Sequence, residues 1–180
     1  MSGKQKMLMD ALHGAIEELT IDSATPEESY EIISNLVKRG AEVNSNYGPS
    51  LKTPLHRSVE LNRTDLLKLF VETGRGDVNL KDKTGWTPLH NAASSGRIQI
   101  VRYLLSHGGK RGINYQDVDG ETPLHLAGDW GSEPVFDALL AGGADRSIVN
   151  HEGEKAIDLL LDASYTANLK IDRRKKYLAK

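Results

Sequence analysis

Gly85-Trp86-Thr87-Pro88-Leu89-His90-Asn91-Ala92-Ala93 has near copies on both sides at almost constant spacing. Thr53-Pro54-Leu55-His56 lies 34 residues earlier, Thr122-Pro123-Leu124-His125-Leu126-Ala127 lies 35 later, and a degenerate Lys155-Ala156-Ile157-Asp158 follows 33 beyond that. Each copy is trailed by an apolar run, then Gly, then Val-Asn or its relic: Leu69-Phe70-Val71 to Val78-Asn79, Leu104-Leu105 to Ile113-Asn114, Leu139-Leu140 to Asp145-Arg146. An earlier run, Leu36-Val37 to Val43-Asn44, leads into the first copy. A period of this length carrying T-P-L-H-x-A means stacked helix pairs, because one pair cannot bury its apolar face alone.

Each residue of the stretch has a physical task. Thr caps a first helix and Pro suits its first turn, where a missing N–H would be unpaired anyway. Leu89 and Leu124 point inward, and the small Ala92, Ala93 and Ala127 let neighbouring helices approach closely. Ile98, Ile100, Val101, Leu104 and Leu105 fall three to four apart, which is the stripe of an amphipathic second helix. Gly74, Gly108 and Gly142 suit left-handed caps at the ends of the second helices. Asp82 to Gly85 and Asp117 to Gly120 read as turns in which Asp bonds its own backbone and Gly supplies positive φ. Thr25, Pro26 and Glu28 form a capping-box signal for an earlier helix running to about Lys38.

The composition bounds the function class. No stretch of the 180 residues approaches the ~20 apolar residues of a membrane span. Met1-Ser2-Gly3-Lys4-Gln5-Lys6 leads into no uninterrupted apolar core, so export is disfavoured and a cytoplasmic or nuclear location is expected. With no cysteine there is no disulfide, thiol catalysis or thiolate metal site. The net charge of −2 conceals an asymmetry: Lys170, Arg173, Arg174, Lys175, Lys176 and Lys180 against Asp172 make the last eleven residues +5, leaving −7 elsewhere. A solvated helix end is preferred for this tail over contact with nucleic acid or lipid.

The stretch and its copies resemble the ankyrin repeat family over nearly the whole chain. The resemblance implies an all-α solenoid of helix-turn-helix units with projecting β-hairpin loops, forming a single domain over 1–180. Its expected parts are an N-terminal capping repeat over 5–44, repeats over 45–79, 80–114 and 115–148, and a degenerate C-terminal cap with the basic tail over 149–180. Residues 20–24 are a longer connection than the later turns, and Asn62 stands where later repeats have Gly96 and Gly131, a mild departure since Asn tolerates the left-handed region. The hairpin Ser45 to Lys52 is one residue longer than its successor.

Function follows from the resemblance: a non-enzymatic module that binds another protein through its concave face, monomeric by itself, with no cofactor, metal, catalytic residue or small-molecule substrate. The runner-up readings are a targeting or autoinhibitory fragment of a larger enzyme, and a pathogen effector adaptor. The family's variable contact positions map onto Tyr47, Ser50, Lys52, Glu60 and Leu61, then Lys81, Lys83, Thr84, Trp86, Ser94 and Ser95, then Gln116, Val118, Asp119, Glu121, Asp129 and Trp130. Both tryptophans fall in this set, and tryptophan is enriched at energetic hot spots. Asn44, Asn79 and Asn114 hold the position that asparaginyl hydroxylases modify in the family.

Rival chemistries find less support. His56, His90 and His125 recur once per repeat, which places one per layer and no Asp/Glu ladder beside them, so a structural role is preferred over metal or acid–base work. No phosphate-loop, dinucleotide, zinc-protease or nucleophile-elbow motif is present. Gly108-Gly109-Lys110-Arg111-Gly112 follows a helix, whereas phosphate sites use helix beginnings. Arg75-Gly76-Asp77 is the repeat's own ending rather than an adhesive tripeptide, and the sequon Asn62-Arg63-Thr64 has no meaning in the cytosol.

Overall fold

The computed structural model describes residues 3–19, 25–73, 75–162 and 177. The connection over 20–24, Gly74, and the basic tail expected from Lys170 onward lie outside the described residues, Tyr177 excepted. Nine α-helices are described: α1 (Gly3–Glu18), α2 (Pro26–Lys38), α3 (Pro54–Glu60), α4 (Thr64–Glu72), α5 (Pro88–Ser94), α6 (Ile98–Ser106), α7 (Pro123–Asp129), α8 (Glu133–Gly142) and α9 (Ala156–Asp162). A short 3-10 turn, Gly109–Gly112, follows α6. The chain divides into two compact halves, Met1–Lys83 and Thr84–Lys180.

The N-terminal half holds α1 to α4. Leu8, Leu12 and Ile16 recur every fourth residue along α1 and are buried, the stripe of an amphipathic helix. α1 packs on α2 and α3, and α2 packs on α4, with Ile33, Leu55, Leu66, Leu67 and Phe70 fully buried. At the start of α2 the backbone N–H of Glu28 donates to Thr25 Oγ1 at 3.3 Å and the N–H of Thr25 donates to Glu28 Oε2 at 3.2 Å, so the capping box is complete.

The C-terminal half repeats the plan. α5, α7 and α9 form one layer, α6 and α8 a second packed against it, and Leu89, Ile100, Leu104, Leu124 and Leu139 fill the space between. T-P-L-H proves to be a capping box in which histidine takes the place of Glu28. His90 Nδ1 accepts the Thr87 N–H at 3.1 Å, and its Nε2 reaches the Tyr115 carbonyl at 3.0 Å. His125 does the same with Thr122 at 3.2 Å and Glu154 at 3.1 Å, tying its own helix to the next repeat. In α9, where Thr and His are lost, Asp158 Oδ2 accepts the Lys155 N–H at 3.1 Å. The position survives although the residue does not.

Two expectations require correction. No β-strand exists among the described residues, so none of the described turns is a projecting β-hairpin loop; Tyr47 with Lys52 and Val149 with Lys155 are isolated single bridges. The reason is the brevity of the turns. Asp117 Oδ1 accepts the N–H groups of Asp119 and Glu121 at 2.9 and 2.8 Å, and Asn150 Oδ1 does so for Glu152 and Glu154 at 3.1 and 2.9 Å. These side chains close the chain before consecutive ladder bonds can form. Successive turns are instead linked by single backbone bonds, Lys83 N–H to Ser50 O, Val118 N–H to Thr84 O and His151 N–H to Asp119 O, each 3.0 Å. The second correction concerns Gly142, which is the last residue of α8 while Gly143 adopts the left-handed cap at φ 102°. Asn62 is left-handed as expected, at φ 55°.

Candidate functional site

The sequence-derived contact positions divide into residues used internally and residues left to the surface. In the N-terminal half, Tyr47 stacks on the buried His13 with ring centroids 4.3 Å apart. A hydrogen bond with Glu17 raises the Tyr47 phenol above its ordinary range, and burial lowers the His13 imidazole. Lys52 and Arg57 both pair with the Glu60 carboxylate, Arg57 at 2.6 Å. Ser50 gives its carbonyl to Lys83, whose side chain is exposed, as is that of Lys81. Tyr47, Lys52 and Glu60 are therefore brought together with structural neighbours rather than presented.

Asn44 and Asn114 act as clips between successive repeats. Asn44 Oδ1 accepts the Asp77 N–H at 2.8 Å while its Nδ2 donates to the Arg75 carbonyl. Asn114 Oδ1 accepts the Asp145 N–H at 2.9 Å. The backbone N–H of Asn79 donates to Asp77 Oδ1 at 2.9 Å.

In the C-terminal half the positions converge on Asp117, which the sequence marked only as a turn residue. Its Oδ2 accepts the Trp86 indole N–H at 2.8 Å, and its Oδ1 holds the backbone of Asp119 and Glu121. Trp86 is half-buried and stacked against His90, centroids 6.4 Å apart, so its ring is fixed on both an edge and a face. Glu121 occupies in the next repeat the place that Trp86 holds in its own, and its carboxylate is half-buried. Burial first, then Asp117, Asp129, Asp119 and Glu152, push it up to about 7. Among the described residues the recorded ion pairs join Lys52 and Arg57 to Glu60 and Arg63 to Asp65; none neutralises Glu121.

Around these acids lie uncovered apolar groups. Trp130 is 63% exposed at the end of α7, with its indole edge over Gly96, and Val118 is 59% exposed at the turn tip. Asp119 and Asp129 are exposed, Ser94 is half-buried and Ser95 exposed. Gln116 serves the fold, its Nε2 donating to Gly120 O at 2.7 Å and Val149 O at 3.1 Å. Val149 and Glu152, which the sequence reading passed over, complete the patch from the following turn. The 33-to-35-residue period was the available signal, since both fall one repeat after positions already singled out.

Among the described residues no three His, Asp or Glu side chains are grouped so as to hold a metal ion, and no helix is long and apolar enough to cross a membrane.

Comparison with known proteins agrees with this geometry. A family model described as ankyrin repeats (3 copies) matches residues 21–113 and 55–150. The Notch-regulated ankyrin repeat-containing protein A of Danio rerio is 35% identical over 86 residues, 48% of this chain and 75% of that protein. Protein phosphatase 1 regulatory subunit 27 of Mus musculus is 44% identical over 63 residues, 35% of this chain and 40% of that protein. The neurogenic locus Notch protein of Drosophila melanogaster is 31% identical over 104 residues, 57% of this chain and 4% of that protein. With T-P-L-H built as a repeated histidine capping box and the helices of the C-terminal half stacked in two layers, the chain belongs to the ankyrin repeat family, a class of non-catalytic protein-interaction modules.

Proposed function

We propose that this protein binds another protein through the face of its C-terminal half that carries Trp86, Asp117, Val118, Asp119, Glu121, Asp129 and Trp130. The observation that carries the reading is the exposure of Trp130, 63%, beside acids that have no counter-ion among the described residues. Large apolar groups left in water and rimmed by charge mark interaction surfaces, and tryptophan contributes disproportionately to binding energy because it buries a large rigid area. Tyr47, Lys52 and Glu60 support the scaffold, since their side chains are already engaged within the N-terminal half.

Site-specific photo-crosslinking tests this reading. A benzophenone amino acid replaces Trp130, Val118 or, as control, exposed Met7 on α1, and the full chain is irradiated in extract from its own cells. The same protein captured from positions 130 and 118 and absent at position 7 is the expected outcome. Capture from position 7 alone would move the interface to the N-terminal half.

A further inference from the structure

We propose that the partner segment taken by this face is cationic, presenting an arginine side chain between the Trp86 ring and the Glu121 carboxylate, with apolar neighbours on Val118 and Trp130. The inference rests on the face assigned above and names the chemistry of its occupant.

Asp117 binds Trp86 through one carboxylate oxygen at 2.8 Å and the Glu121 backbone through the other at 2.8 Å, so Trp86 and Glu121 flank a single anchor. Asp117 spends its acceptor capacity on three N–H groups of the fold. Glu121 makes no ion pair among the described residues, and Asp119, Asp129 and Glu152 add like charge from its own turn, from the end of α7 and from the following turn. A surface with this much negative charge, and with no ion pair recorded to Glu121 among the described residues, is completed by a cation from outside. Arginine fits better than lysine, because a planar guanidinium stacks on an aromatic face while pairing a carboxylate edge. The Trp86 indole is already locked, so little ordering entropy is lost when a guanidinium settles on it. A bare metal ion is not the complement, since the acids do not converge on one point. Tyr177 is buried against α8, its hydroxyl donating to Asp137 at 2.7 Å and its carbonyl accepting from Arg146 at 2.6 Å.

Glu121 also makes such binding pH-dependent. Its carboxyl, pushed up to about 7 by burial and by Asp117, Asp129, Asp119 and Glu152, is mostly neutral at pH 6 and mostly ionised at pH 8. An arriving cation is favoured by the ionised form, so binding near pH 7 expels a proton. His151 also lies against this turn, its ring on Gly120.

The experiment selects ligands without knowing the partner. Random twelve-residue peptides are displayed against the full chain, and the strongest binders are measured by calorimetry on the wild type, Glu121→Gln and Trp130→Ala. Arginine enriched at one position, affinity about tenfold lower at pH 6 than at pH 8, a proton released on binding, and loss of the pH dependence in Glu121→Gln are expected. Peptides without basic enrichment that still need Trp130 would overturn the cationic partner and leave the face intact. Peptides indifferent to both substitutions, or no binders at all, would overturn the face as well. A synthetic peptide of residues 168–180 that displaces the selected peptides with equal affinity, and needs Glu121, would assign the site to the chain's own tail instead.

Discussion

Asp117 accepts the indole N–H of Trp86 at 2.8 Å, joining two successive repeats through one carboxylate that also closes its own turn. A charged acceptor serving three donors contributes more than any neutral bond nearby. Asp117→Ala is expected to cost at least about 2 kcal/mol, and Trp86→Phe, which keeps the ring and loses one donor, about 1 kcal/mol. In the double variant the two costs should not add, because the residues share the bond. Urea titration of the four proteins measures the coupling; full additivity would mean the bond contributes nothing.

Glu121 is predicted to be a site where charge costs stability. Its folded-state value, about 7, stands above its ordinary value, so the folded state holds a proton that the unfolded state has released between about pH 4.5 and 7. Stability therefore falls as pH rises through that window. Glu121→Gln removes the charge, and after discounting for its partial exposure it should gain about 1 kcal/mol at pH 8 and nothing at pH 4. Thermal melts of both proteins across pH 4 to 8 check the sign.

These two predictions concern groups that the sequence marked unequally, and the difference is physical. The Thr caps of T-P-L-H were legible because capping is local, whereas the histidine half of the box, Thr87 and His90 meeting three residues apart, was read only as structural. Asn62 was legible for the same reason, as a residue that tolerates φ 55° at the place of Gly96. The turns were read too far. Their Asp side chains were recognised, yet it is those bonds that stop the chain from pairing as strands. Trp86 was singled out as a contact, but that its N–H is committed to Asp117, 31 residues away, depends on how repeats stack, which no local pattern contains. Gly142 and Gly143 are adjacent and chemically identical, and only the packing of Gly142 against Leu105 and Ile113 tells which one caps.

Histidine supplies the opposite pH limb. Burial lowers His125 below its ordinary value, although bonds to the Glu154 and Ile148 backbone oppose this, so folding favours its neutral form. The unfolded state binds the extra proton, and the stability this neutral form contributes is present above about pH 6.5 and lost as pH falls through the lowered value. Replacing the ring with Gln, which keeps a donor and an acceptor, should flatten this loss while costing about 1 to 2 kcal/mol at pH 8 through poorer geometry. Nuclear magnetic resonance titration of the His125 ring, which should titrate below the ordinary histidine value while the protein is folded, gives the direct measure.

The approach of α7 to α9 sets the last prediction. Gly128 falls where the preceding repeat has Ala93, and a Cβ built on it would lie 2.4 Å from the Ala156 carbonyl oxygen and 3.2 Å from the Leu160 nitrogen. Both are backbone atoms of a packed helix, so neither can turn aside as a side chain would. Gly128→Ala must push α9 outward, and overpacking of this kind costs about 1 to 3 kcal/mol. Gly142→Ala provides the comparison, because its Cβ would meet only the methyl ends of Ile113 and Leu105, at 3.0 and 3.1 Å, which can rotate. It should cost less than about 1 kcal/mol, helped by alanine's better helix propensity. Hydrogen exchange separates the two mechanisms: Gly128→Ala should lose protection across α9, while Gly142→Ala leaves α9 as protected as the wild type. Equal protection of α9 in both variants would mean that the close contact at Gly128 does not hold the terminal repeat in place.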